Sequence, residues 1–140
     1  MTHQLLSDAK IVPAILPTAG AIAAFTASEV DGRGYDRAMF VFSLGTAAAG
    51  GTFDAKLTDD VATGMATAAD YAGAALAQVL KAAGDGKIEI IDVPIKAARP
   101  FMLLAGSVGT GAWPNSAICI LYRGSKMNPP TQVAVQKIIL

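Results

Sequence analysis

Hydrophobic and polar positions along this chain fall into short runs of β character, punctuated by glycine and proline. Residues 37–44 (Arg-Ala-Met-Phe-Val-Phe-Ser-Leu) are the clearest case. Aromatic and β-branched side chains bounded by Gly34 and Gly45 predict a buried strand. Residues 52–58 alternate instead: Phe53, Ala55 and Leu57 fall on one face, Thr52, Asp54, Lys56 and Thr58 on the other. That period of two marks a half-buried strand, and the alanine-glycine loop at 47–51 predicts a hairpin between the two runs. Residues 87–96 alternate at Ile88 and Ile90, then slip so that Ile91, Val93 and Ile95 form the next set. A β-bulge produces such a slip, and Pro94 puts this strand at an edge or at its own end. Residues 101–108 and 117–123 follow as two more buried strands. Gly106, Gly109, Gly111 and Pro114 between them predict a second hairpin.

The flanks read differently. Residues 1–10 are short and polar, with loose order expected. In residues 11–17, Pro13 and Pro17 hold their predecessors extended, so residues 1–20 are expected to form an N-terminal arm. Residues 21–26 offer a first strand, closed by the turn Asp31-Gly32-Arg33-Gly34. Residues 60–83 are ambiguous. Alanine, leucine and glutamine favour helix, but Thr63, Gly64, Thr67 and Gly73 interrupt it. An irregular loop to Tyr71 is expected, then a strand or a short helical turn over 74–80, with a turn at Gly84-Asp85-Gly86. Beyond Gly124, Pro129-Pro130 separates a C-terminal arm, residues 125–140, whose apolar end is placed to add a strand to its own sheet or to a neighbouring chain. Recurrent strands, turn signals and at most one short helix predict an all-β domain over residues 21–124, a β-sandwich or jelly roll.

Composition sharpens this. The 140 residues are 53% hydrophobic, only 16% charged, and carry zero net charge. Charged residues make up about 25% of an average soluble domain, so the shortfall suggests surface covered by other protein chains. Without a cluster of lysine and arginine, no nucleic-acid partner is expected. The charge-free stretch 11–28 is broken by Pro13, Pro17 and Gly20. Neither a membrane-spanning helix nor a secretory signal is expected from it.

Candidate chemistry is sparse. There is one histidine (His3), one cysteine (Cys119) and one tryptophan (Trp113). Cys119 lies in an apolar run, as a small buried hydrophobe does. Residues 106–111 (Gly-Ser-Val-Gly-Thr-Gly) resemble a phosphate cradle but lack the following Lys-Ser/Thr and the helix that such a loop needs; a hairpin loop is expected. Asp54, Asp59, Asp60 and Asp70 match no calcium-loop spacing and read as solvated loop acids. Glu89 and Asp92 receive no acid–base role, and no serine has a histidine partner in a motif. No cofactor, metal or enzymatic activity is expected. Trp113-Pro114 at a hairpin tip is a candidate contact, as are Arg99 and Arg123, unless these arginines simply face water.

The order of motifs is informative. It runs Gly34-Tyr35-Asp36-Arg37-Ala38-Met39-Phe40-Val41, then Gly51-Thr52-Phe53-Asp54-Ala55-Lys56-Leu57. Asp59-Asp60-Val61-Ala62-Thr63-Gly64 and Asp70-Tyr71-Ala72-Gly73-Ala74-Ala75-Leu76 come next. Arg99-Pro100-Phe101-Met102 then precedes Ala117-Ile118-Cys119-Ile120-Leu121-Tyr122. This resembles small tailed-phage virion proteins, especially capsid decoration (cement) proteins, over residues 30–124. Pro100 stands where the family pattern often has an aromatic. The resemblance implies a jelly roll or β-sandwich on the outer capsid surface, commonly a homotrimer, bridging subunits of the major capsid protein. The expected contacts are Ile11, Val12, Ile15 and Leu16 in the first arm and Trp113 in its loop. Val133, Val135, Ile138, Ile139 and Leu140 complete the set in the tail. Two other readings stay open: a head–tail connector or tail component of the same virion, and a carbohydrate-binding sandwich with an aromatic platform.

Overall fold

The computed structural model describes residues 9–124 and 134–140. Eleven strands and one helical turn follow in order: β1 Ala9–Thr18, β2 Ala23–Ala24, β3 Val30–Asp31, β4 Arg37–Leu44, β5 Thr52–Asp60, β6 Ala69–Ala75, β7 Val79–Leu80, α1 Lys81–Gly84, β8 Ile88–Pro94, β9 Phe101–Gly109, β10 Asn115–Tyr122 and β11 Ala134–Ile139. They form two packed sheets. One has the order β1-β10-β4-β8-β11; the other runs β2-β9-β5-β6, with β3 also on β9 and β7 also on β5. Every named pairing is antiparallel except β11 on β8. From β4 to β10, the long strands alternate between the two sheets except at β5 and β6, which are neighbours in one sheet, the strand order of a jelly-roll all-β sandwich.

Both expected hairpins are therefore corrected. β4 and β5 lie in different sheets, and so do β9 and β10. The two glycine-rich connections cross the end of the sandwich side by side. Gly45 N–H donates to the Pro114 carbonyl at 2.8 Å, and Ala48 N–H to that of Ala112 at 2.8 Å. The physical cue is the difference in pattern. β4 is apolar on both faces, whereas β5 alternates cleanly, so the two strands suit different sheets.

The expected bulge near Ile91 is also absent. β4 and β8 pair in continuous register from Arg37↔Pro94 to Ser43↔Ile88. Ile91 and Val93 point into the core, while Ile90 joins Met39 and Tyr122 in a second cluster on the opposite face. The strand is buried on both faces, which reads in sequence as a slipped phase.

The N-terminal arm becomes a strand from residue 9. β1 pairs with β10 from Ala9↔Tyr122 to Thr18↔Asn115, with register shifts either side of Ile15. The shifts let Ala14 and Ile15 both turn inward, although they are consecutive. The expected strand at 21–26 shrinks to β2. Over 69–84 a strand begins earlier than expected, and both a short strand and a helical turn follow. In the tail, β11 joins its own sheet; Val133 lies outside the described residues and Val135 falls within β11.

Trp113 is corrected from contact residue to core. It is fully buried, and its indole N–H donates to the Gly45 carbonyl at 2.8 Å. Its ring meets Phe53 edge-on at 6.2 Å, and Phe53 in turn meets Phe42 at 5.7 Å and Phe25 at 5.0 Å. Gly20 lets the backbone pass: its φ is +68°, and a Cβ there would stand 1.6 Å from the Trp113 carbonyl oxygen. Trp113→Ala should therefore cost about 3–5 kcal/mol of stability, read as a lowered denaturant midpoint by far-UV circular dichroism. An unchanged midpoint would refute this placement.

Candidate interaction surface

The outward face of the five-stranded sheet carries apolar side chains where water would favour polar ones. The register places Ile11 of β1 beside Ile120 of β10, and Ile120 beside Met39 of β4. Ile118 stands beside Val41 in the same way, and Val41 beside Ile90 of β8. This band is buried at Met39 and Ile90 and opens toward β1, where Ile118 is 42% and Ile11 63% exposed. Leu16 and Ile22 add 65% and 60% exposed apolar side chains around the end of β1. There a groove of about 410 Å³ runs past Ile15, Leu16, Phe25 and Val108. Pro13 and Pro17 remove N–H groups from this edge strand, which blunts backbone pairing with another strand. Contact here is made by side chains.

Of the expected contact residues, the structure brings Ile11 and Leu16 to this surface. Ile15 is buried and Val12 packs partly against the core. Ile138 packs against the core from the far edge of the same sheet, and Leu140 is 39% exposed there. The two groups of residues lie at opposite edges and do not form one site. Ile118 was missed because its run, Ala117-Ile118-Cys119-Ile120-Leu121, reads as uniformly buried. The cue was its continuity: an unbroken apolar strand has two dry faces.

Many of the ionisable groups are tied to other parts of the chain. Arg37 Nε donates to Asp92 Oδ1 at 3.2 Å and to Tyr122 Oη at 3.0 Å, while the Tyr122 hydroxyl donates to Asp92 Oδ2 at 2.7 Å. Glu89 and Asp92, three positions apart on β8, face opposite sides of the strand, both fully buried. Asp59 and Asp60 are corrected from solvated loop acids to buried ones. Asp59 takes Lys96 Nζ at 2.6 Å and Arg99 Nε at 2.5 Å, which also binds Arg99 within the chain. Arg123 donates to the Gly34 carbonyl at 3.0 Å and lies over the Tyr35 ring. Asp54 accepts from Gln78 and Asp70 from Lys56. Cys119 is buried, and burial, helped by the Asp92 charge, pushes its thiol far above the ordinary range. Among the described residues, no group of three or more histidine, cysteine, aspartate or glutamate side chains is placed to hold a metal ion. No helix of the described residues is long and apolar enough to cross a membrane.

No protein-family model matches this chain, and no curated protein matches it.

The uncharged loop 61–68 stands on three carboxylates. Asp60 accepts from Val61 N–H, Thr67 N–H and the Thr67 hydroxyl at 2.6–2.7 Å. Glu29 accepts from the Thr63 hydroxyl and Gly64 N–H at 2.7 Å, and Arg99, held by Asp59, reaches the Thr67 carbonyl at 3.1 Å. The Thr67 hydroxyl, opposed by burial and aided by backbone N–H groups, holds the Asp60 carboxyl below its ordinary value. Burial pushes Asp59 up, but the hydrogen bonds and charges of Lys96 and Arg99 outweigh it and hold it low. A carboxyl depressed in the folded state stabilises above its unfolded value, near 3.8 for both, and loses that stabilisation as pH falls through the folded value. Protection factors of the amides at 61–68, with the intrinsic pH dependence of exchange divided out, should therefore fall below pH about 4 ahead of those of the core strands. Exchange in the loop that tracks global unfolding at every pH would refute this.

Proposed function

We propose that this chain is a structural virion protein that decorates and stabilises a tailed-phage capsid. It sits on the outer surface as a homotrimer and bridges subunits of the major capsid protein. The observation that carries the reading is the apolar outward face of the five-stranded sheet, with Ile11 and Ile118 open to solvent. The order of strand and turn motifs, which resembles that of decoration proteins, supplies the class of partner. The jelly roll supports the same reading, as does the charge-poor composition. Burying one large aliphatic side chain contributes about 1.5–3 kcal/mol, so a patch of this size gives a modest affinity for each copy.

On the proposed reading, tailed-phage capsids assembled from the cognate major capsid protein, mixed with the purified protein and sedimented, should carry it at a fixed copy number per shell. Ile11→Asp with Ile118→Asp should keep the circular dichroism spectrum and lower occupancy at least tenfold, since each change removes about 1.5–3 kcal/mol of apolar burial. Capsids that take up no protein, or a double variant that binds like the native chain, would overturn the reading.

A further inference from the structure

The two sheets part at one edge of the sandwich. β1 and β2 are edge strands of their sheets, and the groove past Ile15, Leu16, Phe25 and Val108 lies between them. Backbone bonds hold its walls in place. Ser28 N–H donates to the Ala14 carbonyl at 2.8 Å, and Trp113 N–H donates to the Gly20 carbonyl at 2.8 Å. Phe25 N–H donates to the Gly106 carbonyl at 3.0 Å, which ties the residue after β2 to β9. The space exists because several residues around it are small: Ala21, Ala23 and Ala24 line it where longer side chains would fill it. Its volume, about 410 Å³, falls within the roughly 300–1,000 Å³ of small-molecule pockets.

One polar atom at this groove lacks a donor. Asn115 opens β10 and lines the groove, with its side chain on the inward face that Ala117 and Cys119 continue. The residue is 5% exposed. Its Nδ2 donates to the Trp113 carbonyl at 2.8 Å, but among the described residues none donates to its Oδ1. A buried acceptor left without a donor is unfavourable, and native structures ordinarily supply one.

The surroundings decide what kind of molecule can supply it. Among the described residues, none that lines the groove is ionisable, so a charged occupant would lose hydration without gaining a counter-charge. Thr18, Thr26 and Ser28 add hydroxyl groups and no charge. Ile15, Leu16, Phe25 and Val108 offer apolar contact, and the 65% exposed Leu16 has surface to gain by being covered.

We propose that this groove binds a neutral, largely apolar small molecule that carries an O–H or N–H group. Its apolar body lies against Ile15, Leu16, Phe25 and Val108, and its donor meets Asn115 Oδ1. The proposal concerns the chain by itself and stands independently of the capsid reading.

The test uses the full chain, ¹⁵N-labelled and ¹³C-labelled at its methyl groups, with no capsid present. Phenol is the probe. Anisole, in which a methyl group replaces the hydroxyl hydrogen, is its control. Phenol should shift the methyl signals of Ile15, Leu16 and Val108 and the side-chain amide signal of Asn115 along one saturable curve, with a dissociation constant on the order of 1 mM. Anisole should bind about fivefold more weakly or worse, because it leaves Oδ1 unpaired. Ala24→Trp, at an exposed position on the groove wall, should keep the far-UV circular dichroism spectrum and weaken phenol binding about tenfold or more by filling the space. Phenol that gives no saturable shift at these residues would overturn the proposal and leave Oδ1 to water. Anisole that binds the native chain as tightly as phenol would overturn it too, as would a folded Ala24→Trp chain that binds phenol like the native one.

Discussion

Water has to be kept from both faces of the five-stranded sheet, and one facing sheet covers only one of them. This constraint governs the rest of the molecule. The inner face is covered by β9, β5 and their neighbours through Phe53, Leu57 and Leu104, which are all fully or nearly fully buried. The outer face keeps Met39, Ile90 and Tyr122 dry and leaves the β1 side open. A sandwich with one wet face on each sheet would show alternation in every strand. Here β5 alternates and β4, β8 and β10 do not. The asymmetry gives the protein a direction: one sheet turns polar positions to solvent, the other presents apolar side chains.

The few charges serve as ties where the apolar packing ends. Asp92, Arg37 and Tyr122 close on one another on the outer face, with the backbone of Leu140 drawn in beside them. Asp59 with Lys96 and Arg99 anchors the end of β5 to the segment before β9. Such groups are costly to bury alone, and good geometry offsets the desolvation. They fix position more than they add stability. Asp92 and Arg37 sit where β8, β4 and β10 must keep register, and Asp60 sets the path of the loop after β5.

Much of this was legible in the sequence. Period-two alternation located β5, and the dense apolar runs located β4, β9 and β10. Connectivity was not, because a glycine-rich link between two sheets uses the same residues as a hairpin turn. Gly45 and Gly111 look alike in either role. What separates the cases is which strand lies alongside, a non-local fact carried only by the contrast between alternating and continuous patterns. Trp113 was misread for a related reason. Next to Pro114 and among glycines it has the company of a loop tip, yet the backbone packed against its indole is that of Gly84 and Gly45, from other turns. Asp59 and Asp60 read as loop acids because the partners of Asp59, Lys96 and Arg99, come from another turn, and Thr67 reaches Asp60 only through the fold of the loop between them. Of the interaction surface, Ile11 and Leu16 were visible as uncharged flanks. Ile118 was hidden inside a run that looked wholly interior.

The open band near β1 offers a few aliphatic side chains and no charge, so under the proposed reading its hold on a shell would be weak and little affected by salt. Copies joined as the proposed homotrimer would present several such patches at once, and simultaneous engagement raises the total affinity far beyond any single contact. Strong individual contacts would instead fix the first encounter and prevent adjustment to neighbouring shell positions.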